Sequence, residues 1–339
     1  MAGKILIWLW VSMMVWAAPG ALSAASFYEG KAFRILVPSP PGALTDIEAR
    51  TVGRHISRHI PGSPAVIVQS IPGGGGINLA NYLYNVAKPD GLTVAISGTL
   101  VAFHKLLGTR GVKYEVEKFH WLGTFADPNF ILVFHVDTPY SSVEAIRNAP
   151  KPPKLGVPSS RHAIYMQSRI FQEALGLKFN YAFGYSPPEI DLAVERKEVD
   201  GRTSTLSTVL ARRKEWLDRG FHVISVASDS RLKQLPGVPT IWELVKDKET
   251  REFIEVAMVP FKTPRAWTAP PGVPAERVAI LRQALMKTLR DPKFLQDAKK
   301  TGLSVVPNSG EEVEKVFGKL RNAPPELLKR VPSLVKSPK

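Results

Sequence analysis

The sequence predicts an α/β protein of two lobes, each built on a mixed, mostly parallel sheet, with a hinge between them. Three observations support this fold class. The first hundred residues alternate between apolar strand-like runs and amphipathic helices, the alternation recurs over 130–227, and helical segments follow late in the chain. Alternating strands and helices indicate parallel sheets covered by helices. The length of 339 residues fits about two domains.

The first α/β set begins with the apolar run AFRILVP at 32–38, which predicts a strand that ends at prolines. A tight loop, PPGALTD, follows, and apolar side chains then recur at helical spacing over 47–60. We expect Thr45 or Asp46 to cap this helix. The set continues with a strand at 65–71, a glycine loop at 72–76, a helix at 77–87 and a strand at 92–97.

The second set and the C-terminal helices complete the two lobes. The pattern predicts strands at 130–136, 154–158, 179–183 and 221–227, and helices at 141–149, 163–175, 188–196 and 248–254. Further amphipathic helices are predicted at 275–291, 292–301 and 310–320. We therefore expect lobe 1 to comprise 26–128 and 246–330, lobe 2 to comprise 129–245, and 331–339 to form a mobile tail.

Residues 1–25 have the organisation of a secretory signal peptide. A single charge, Lys4, precedes an apolar run from Ile5 to Ala18, and small residues follow, with cleavage expected after Ala24 or Ala25. The alternative is an uncleaved membrane anchor, but the apolar run is shorter than the roughly 20 residues that span a bilayer. We therefore expect export to the periplasm and removal of the signal.

Composition excludes several classes of function. The sequence has no cysteine, so disulfides, thiolate nucleophiles, cysteine-ligated metals and a lipoprotein anchor are excluded. The formal net charge is +15, which suits a nucleic acid, an anionic membrane or an anionic ligand. Since the basic residues are dispersed and export is expected, we predict no nucleic-acid partner and favour an anionic ligand.

Two loops have the properties of anion sites. The segment VPSPPGALTDIEAR at 37–50 joins a strand to a helix N-terminus, where free N–H groups and the helix dipole favour an anion. Gly42 allows close approach of a ligand, and Asp46 would orient the loop or meet a ligand donor. Four glycines at 73–76 precede the next helix, without the spacing of a P-loop or a dinucleotide fingerprint. Ordinary turns remain the alternative for both loops.

Catalytic and metal motifs are weak. The sequence contains neither GxSxG nor HExxH. His55 and His59 have the i, i+4 spacing of a metal pair, but we favour a solvated basic helix face. His162 follows Ser159 and Ser160, which leaves a Ser/His nucleophile open, although a polar helix N-terminus that receives an anion is favoured. We predict no cofactor and no metal.

Several blocks, in this order, resemble one protein family. They are FRILVPSPPGALTDIEAR, VIVQSIPGGGGINLANYLYNVAKPDGLTVAI, LPGVPTIWEL and TAPPGVPAERVAILRQALMKTLRDPKF. The chain resembles the extracytoplasmic solute receptors of tripartite tricarboxylate transporters, the Bug-type receptors, over about 30–325. The resemblance implies a periplasmic binding protein of Venus-flytrap type, in which one loop from each lobe grips a ligand carboxylate.

The resemblance and the two loops together give a set of candidate ligand-contact residues. Arg161 is the expected ion-pair partner of a carboxylate, because guanidinium binds carboxylate bidentately. Tyr185 would contact the ligand body, and the helix N-termini after 39–46 and 184–188 would receive the carboxylate. The full set is Ser39, Pro41, Gly42, Ala43, Thr45, Asp46, Gly74, Gly75, Ser159, Ser160, Arg161, His162, Gly184, Tyr185, Ser186, Thr203 and Ser204.

The sequence departs from the family pattern at three places, which bear on the identity of the ligand. Ala43 replaces the usual second glycine of the first loop, Lys197 stands where glycine is common, and Pro187-Pro188 stiffens the second-lobe loop.

The predicted function is capture of a mono-, di- or tricarboxylate by a monomer, without chemistry on the ligand, and delivery to a membrane permease. The alternatives are a ligand-presenting protein for a membrane sensor and a periplasmic hydrolase that uses His162 with Ser159 or Ser160.

Overall fold

The fold was obtained as a computed structural model, which describes residues 27–97 and 101–335. The predicted signal peptide at 1–25 and the last four residues of the predicted tail lie outside the described residues. None of the helices within the described ranges is long and apolar enough to cross a membrane.

Strands and helices alternate along the described chain. The strands are β1 Ala32–Val37, β2 Ala65–Ser70, β3 Thr93–Ile96, β4 His120–Thr124, β5 Phe130–Phe134, β6 Lys154–Val157, β7 Asn180–Phe183, β8 Gly201–Thr205, β9 His222–Ala227, β10 Trp267–Ala269 and β11 Asn308–Ser309. The helices are α1 Leu44–Ile56, α2 Ile77–Asn85, α3 Val101–Leu106, α4 Val143–Asn148, α5 Ala163–Leu175, α6 Pro187–Glu195, α7 Leu206–Arg212, α8 Lys214–Asp218, α9 Ile241–Leu244, α10 Lys248–Met258, α11 Ala275–Arg290, α12 Pro292–Lys300, α13 Gly310–Arg321 and α14 Pro325–Arg330.

The strands form two mixed sheets, as the fold class predicts. The first has the order β11-β4-β10-β3-β1-β2 and the second the order β7-β6-β8-β5-β9. Strands joined by a returning helix, such as β1 with β2 and β6 with β7, pair in parallel. The two strands that follow a connection between the lobes pair antiparallel with their neighbours. These are β10, which pairs with β3 and β4, and β5, which pairs with β8 and β9. Antiparallel pairing is therefore more extensive than we predicted.

Strand β1 has apolar side chains buried on both faces, except at Arg34, which is exposed. Phe33, Ile35 and Val37 belong to an apolar cluster with Val52 of α1 and Leu281 of α11. Leu36, which lies between Ile35 and Val37 and points to the opposite face of the sheet, belongs to a second cluster that extends into the second lobe. Removing this much apolar surface from water is the main stabilising contribution to such a core.

Helix α1 and the 3-10 turn at 57–59 after it are joined to α12 by histidine–aspartate hydrogen bonds that the sequence did not predict. His55 Nε2 lies 2.9 Å from Asp297 Oδ2, and His59 Nε2 lies 3.1 Å from Asp291 Oδ2. The side chain of His55 is only 12% exposed. The prediction of a solvated histidine face is therefore wrong, because α12 brings its aspartates against α1 from more than two hundred residues away.

The chain returns to the first sheet later than we predicted. Helix α10, assigned to lobe 1 from 246 onwards, packs on α5 of the second lobe. Its Phe253 lies in the same apolar cluster as Phe130 and Phe171. The chain reaches the first sheet only at β10. An amphipathic pattern shows that a helix has an apolar face but not which sheet that face covers.

The start of the predicted mobile tail is packed. Residues 331–335 form a 3-10 helix in which Val331 and Leu334 are fully buried. Arg169 Nη2 of α5 donates to the carbonyl oxygen of Ser333 at 3.3 Å. The prediction of mobility is therefore wrong for 331–335, because two apolar side chains anchor the segment on α5.

Two connections join the lobes and lie side by side. They are residues 125–129, between β4 and β5, and residues 263–266, before β10. Thr124 Oγ1 donates to the carbonyl oxygen of Pro264 at 2.5 Å. The backbone N–H of Ser97 donates to the carbonyl oxygen of Ala266 at 2.9 Å. Paired connections of this kind are suited to hinge motion, since few residues have to change their backbone angles.

Candidate ligand-binding cleft

The loop between β1 and α1 leaves the helix N-terminus without a side-chain cap. Helix α1 begins at Leu44, and Ala43 is the N-cap residue, with extended backbone and no side-chain acceptor. The prediction of Thr45 or Asp46 as the cap is therefore wrong, because both lie inside the first turn. Thr45 instead forms a hydroxyl–hydroxyl hydrogen bond with Ser39. Unsatisfied N–H groups at a helix start favour an anion.

Asp46 stabilises the loop from within the first turn. Its Oδ2 accepts from the backbone N–H of Gly42 at 2.9 Å, and both carboxylate oxygens lie 3.0 Å from Arg50 Nε. Gly42 has φ +81, a conformation that suits glycine. Burial alone would raise the pKa of Asp46, but the hydrogen bonds from Arg50 and Gly42 outweigh burial and lower it. Of its two predicted roles, Asp46 therefore has the loop-orienting one in this structure.

The glycine loop meets the second lobe. All four residues from Gly73 to Gly76 have positive φ, which explains the run of glycines. A Cβ atom at Gly75 would lie 3.1 Å from His104 Nε2 and 3.4 Å from the carbonyl oxygen of Arg161. The loop of lobe 1 and the loop that precedes α5 in lobe 2 are thus in contact at this point.

Arg161 and His104 lie on either side of this contact. Arg161 is exposed and has no carboxylate within ion-pair distance among the residues that the structure describes. His104 is buried, and burial is the main cause that lowers its pKa to about 4. A hydrogen bond with the backbone of Gly75 acts to raise the pKa, and the positive charge of Arg161 acts to lower it further. Sequence reasoning missed His104 because the segment after 97 carries no motif.

His162 caps α5 and is held neutral. Its Nδ1 accepts from the backbone N–H of Ile164 at 3.2 Å. Burial, followed by the charge of Arg202, lowers the pKa of His162 to about 4. The exposed Ser159 and the half-buried Ser160 precede it in the same loop. Since Nδ1 already accepts a backbone hydrogen bond, the geometry favours a capping role over a Ser/His nucleophile.

The second-lobe loop at 184–188 carries its own negative charge. Helix α6 begins at Pro187, and Glu189 Oε2 accepts from the backbone N–H of Ser186 at 2.6 Å. A ligand carboxylate at this N-terminus would meet Glu189, so the predicted role of this helix end as a carboxylate receptor loses its physical basis. Gly184 and Tyr185 line an open depression of about 470 Å³ on the second lobe.

Of the remaining predicted residues, some are buried and stabilise the second lobe, and others are exposed on loops. Thr203 is buried, and its Oγ1 donates to the carbonyl oxygen of Ile164 at 2.8 Å, which ties β8 to the start of α5. Ser204 is buried beside it in β8. Pro41 and Gly74 are exposed on their loops.

A crevice between the lobes contains residues that the sequence did not single out. It has a volume of about 380 Å³ and is lined by α7, by Leu44 and Arg265, and by residues 299–304 at the end of α12 and just after it. Arg212, Arg265, Lys299 and Lys300 all line it. No sequence pattern indicates this crevice, because its residues come from segments that are far apart along the chain.

Comparison with protein-family models gives a match over most of the chain. The model described as "Tripartite tricarboxylate transporter family receptor" matches residues 49–329. The chain belongs to this family of receptors. The match confirms the resemblance that the sequence blocks indicated.

Individual relatives of this receptor are distant in sequence. It is 27% identical over 297 residues to the UPF0065 protein in the tcbD-tcbE intergenic region of Pseudomonas sp. strain P51, a match that covers 83% of this chain and 81% of the relative. The periplasmic binding protein BugD shares the fold with a TM-score of 0.67 and 21% identity, over 91% of this chain and 98% of BugD. Rpa4515 of R. palustris, solved with adipate, has a TM-score of 0.67 and 18% identity, over 90% and 97% of the two chains.

Proposed function

We propose that this receptor is a periplasmic solute-binding protein that captures a small organic anion, a carboxylate, between its lobes and delivers it to a membrane permease of the tripartite type. Export would follow from the signal peptide predicted at 1–25. Two features of the relatives support the proposal: BugD is named a periplasmic binding protein, and Rpa4515 was solved with the dicarboxylate adipate.

The contact between Gly75 and the Arg161 loop carries the proposal. The backbone of Arg161 meets Gly75 of the other lobe, the charge of Arg161 acts on His104 beside that contact, and Arg161 has no acidic partner among the described residues. The uncapped N-terminus of α1 adds free N–H donors on the side of lobe 1, where Arg50 offsets the charge of Asp46 in the first turn. Arg161 would bind the carboxylate directly, and a ligand held by both lobes would stabilise their closed arrangement through its higher affinity for that state.

Thermal unfolding of the chain purified without residues 1–25 tests this function. We expect at least one member of a panel of mono-, di- and tricarboxylates to raise the Tm, since a ligand at 100 times its Kd stabilises by about 2.7 kcal/mol. A panel in which sugars or amines shift the Tm and no carboxylate does would contradict the proposal.

A charge-matched pair of variants tests the role of Arg161. Arg161→Gln should weaken carboxylate binding by about tenfold or more, because a hydrogen bond to a charged group contributes about 1.5–3 kcal/mol. Lys178→Gln, at an exposed position of the same lobe just before β7, should bind as the wild type does. Equal affinities of both variants would remove Arg161 from the site.

A further inference from the structure

The crevice between the lobes is a concentration of positive charge beside the proposed carboxylate site. Among the described residues that line it, four are cationic and none is acidic. None of the seventeen predicted ligand-contact residues is among them. The polar lining also includes hydroxyl groups, those of Ser207, Thr208, Thr301 and Ser304.

Three of the four cations lack an acidic partner within the described ranges. Arg212, Lys299 and Lys300 have no carboxylate within ion-pair distance in the part of the chain that the structure describes. Like charges gathered around one space repel each other, and only a counter-ion or solvent reduces that repulsion here. An anion in the crevice would therefore lower the electrostatic free energy of the folded state.

The fourth cation is held in place from behind. Arg265 Nε donates to Glu48 Oε2 at 2.6 Å, and Glu48 is completely buried. Since this bond uses only Nε, the terminal amino groups of the guanidinium remain for the crevice that Arg265 lines. A planar guanidinium fixed on one edge is well suited to bidentate binding of an oxyanion.

The crevice depends on the approach of the two lobes. Arg212 comes from α7 of the second lobe, and Lys299 and Lys300 come from α12 of the first. At one wall, a Cβ atom at Gly302 would lie 3.0 Å from Ala211 Cβ. Gly302 also has φ +69, so this turn requires glycine both for its backbone and for the close approach.

We propose that this crevice is a second anion site, which binds a multivalent oxyanion of the phosphate or sulfate type between Arg265 and the three cations around it. The site adjoins the first-lobe loop through Leu44, but it contains none of the predicted carboxylate contacts and does not depend on the function proposed for them. Because its cations come from both lobes, a bound oxyanion favours the arrangement in which the lobes lie close together.

Titration calorimetry of the purified chain with inorganic phosphate and, separately, with sulfate tests the proposal. Both anions are used at low millimolar concentration, with chloride keeping the ionic strength constant so that screening and salt effects on stability stay the same. We expect saturable binding of one of them at one site per chain. Arg212→Gln combined with Lys299→Gln should raise the Kd by at least about tenfold, which corresponds to 1.4 kcal/mol.

Two control variants distinguish binding in the crevice from binding elsewhere on the protein. Lys178→Gln combined with Lys246→Gln removes the same amount of charge from exposed positions away from the crevice and should leave the Kd unchanged. Arg161→Gln, which alters the proposed carboxylate site, should also leave it unchanged. If the crevice double variant fails to fold, as judged by circular dichroism, Lys300→Gln alone at the exposed end of α12 provides the same measurement with a smaller loss of affinity.

The proposal is overturned if neither anion binds saturably. It is equally overturned if the surface control loses as much affinity as the crevice variant, which would indicate general attraction to a basic protein. Loss of binding in Arg161→Gln, with the crevice variant unaffected, would place the anion in the carboxylate cleft instead.

Discussion

At the scale of single residues, two imidazoles flank the cleft, the buried His104 and the half-buried His162, and both are neutral at pH 7. Burial lowers the pKa of His104 and of His162 to about 4. His162 was predicted as a ligand contact at a helix N-terminus that receives an anion, and in the structure its side chain caps that helix. His104 could not be predicted, because its burial results from the packing of α3 beneath the glycine loop and leaves no pattern in the sequence.

The lowered pKa of His104 makes stability depend on pH in a defined window. Between about pH 6.5 and pH 4 the unfolded chain binds a proton on this imidazole that the folded chain does not, so stability falls as the pH falls. The contribution of His104 is of the order of 3 kcal/mol across that window. We expect His104→Gln to lose less stability than the wild type between pH 7 and pH 4 in urea unfolding. Equal losses in the two proteins would contradict a buried, neutral His104.

At the scale of elements, long amphipathic helices and apolar strands could be predicted, and short polar strands could not. Helix α5 occupies the predicted 163–175. Strand β8, GRTST, is buried but polar, and β10 has only three residues. Neither has the alternation or the apolar run that indicates a strand. Strand β8 belongs to a sheet because it pairs with β5, and β10 because it pairs with β3 and β4. This backbone pairing depends on tertiary structure and leaves no local pattern in the sequence.

The glycine loop offers a test of the contact between lobes. Gly74 and Gly75 have nearly the same φ, +60 and +66, so alanine at either position carries a similar backbone cost of about 1–2 kcal/mol. Only a Cβ at Gly75 would meet the second lobe. We expect Gly75→Ala to weaken binding of the ligand by several-fold more than Gly74→Ala does, as measured by calorimetry. Equal affinities of the two variants would show that the loop does not limit lobe closure.

Strand β4 offers a test of the first sheet. A Cβ at Gly123 would lie 2.8 Å from the carbonyl oxygen of Asn308 in β11, and Gly123 has φ +144. Gly123→Ala should destabilise the protein by about 2 kcal/mol or more, since overpacking costs about 1–3 kcal/mol and the backbone adds strain. Gly318→Ala in α13 has open space around it and should stabilise by up to about 1 kcal/mol. Denaturant unfolding that shows the same change for both would contradict this pairing of β4 with β11.

At the scale of the whole molecule, the sequence indicated two lobes but placed one boundary incorrectly. The first connection lies at 125–129, and the boundary predicted between 128 and 129 falls within it. The second lies at 263–266 instead of near 245, because α10 packs on α5 of the second lobe. A hydrogen bond from Thr124, at the end of β4, to Pro264 holds the start of the first connection against the second, and we expect the two connections to form the hinge.

The candidate site was also only partly predictable at this scale. The first-lobe loop and Arg161 follow from motif and resemblance. The contact between Gly75 and Arg161 and the cationic crevice both depend on how the lobes face each other. Residues far apart in the sequence determine that arrangement. The formal net charge of +15 indicated an anionic partner, and only the structure shows where unpaired cations gather.

In the function proposed for this receptor, the cleft recognises a carboxylate through its charge. Calorimetric titration with carboxylates, and with neutral amides of the same carbon skeleton, separates the charge of the ligand from its shape. We expect saturable binding of at least one carboxylate and none of its amide. Binding of the amide with equal affinity, or binding of sugars or amines in the absence of any carboxylate, would contradict recognition through charge.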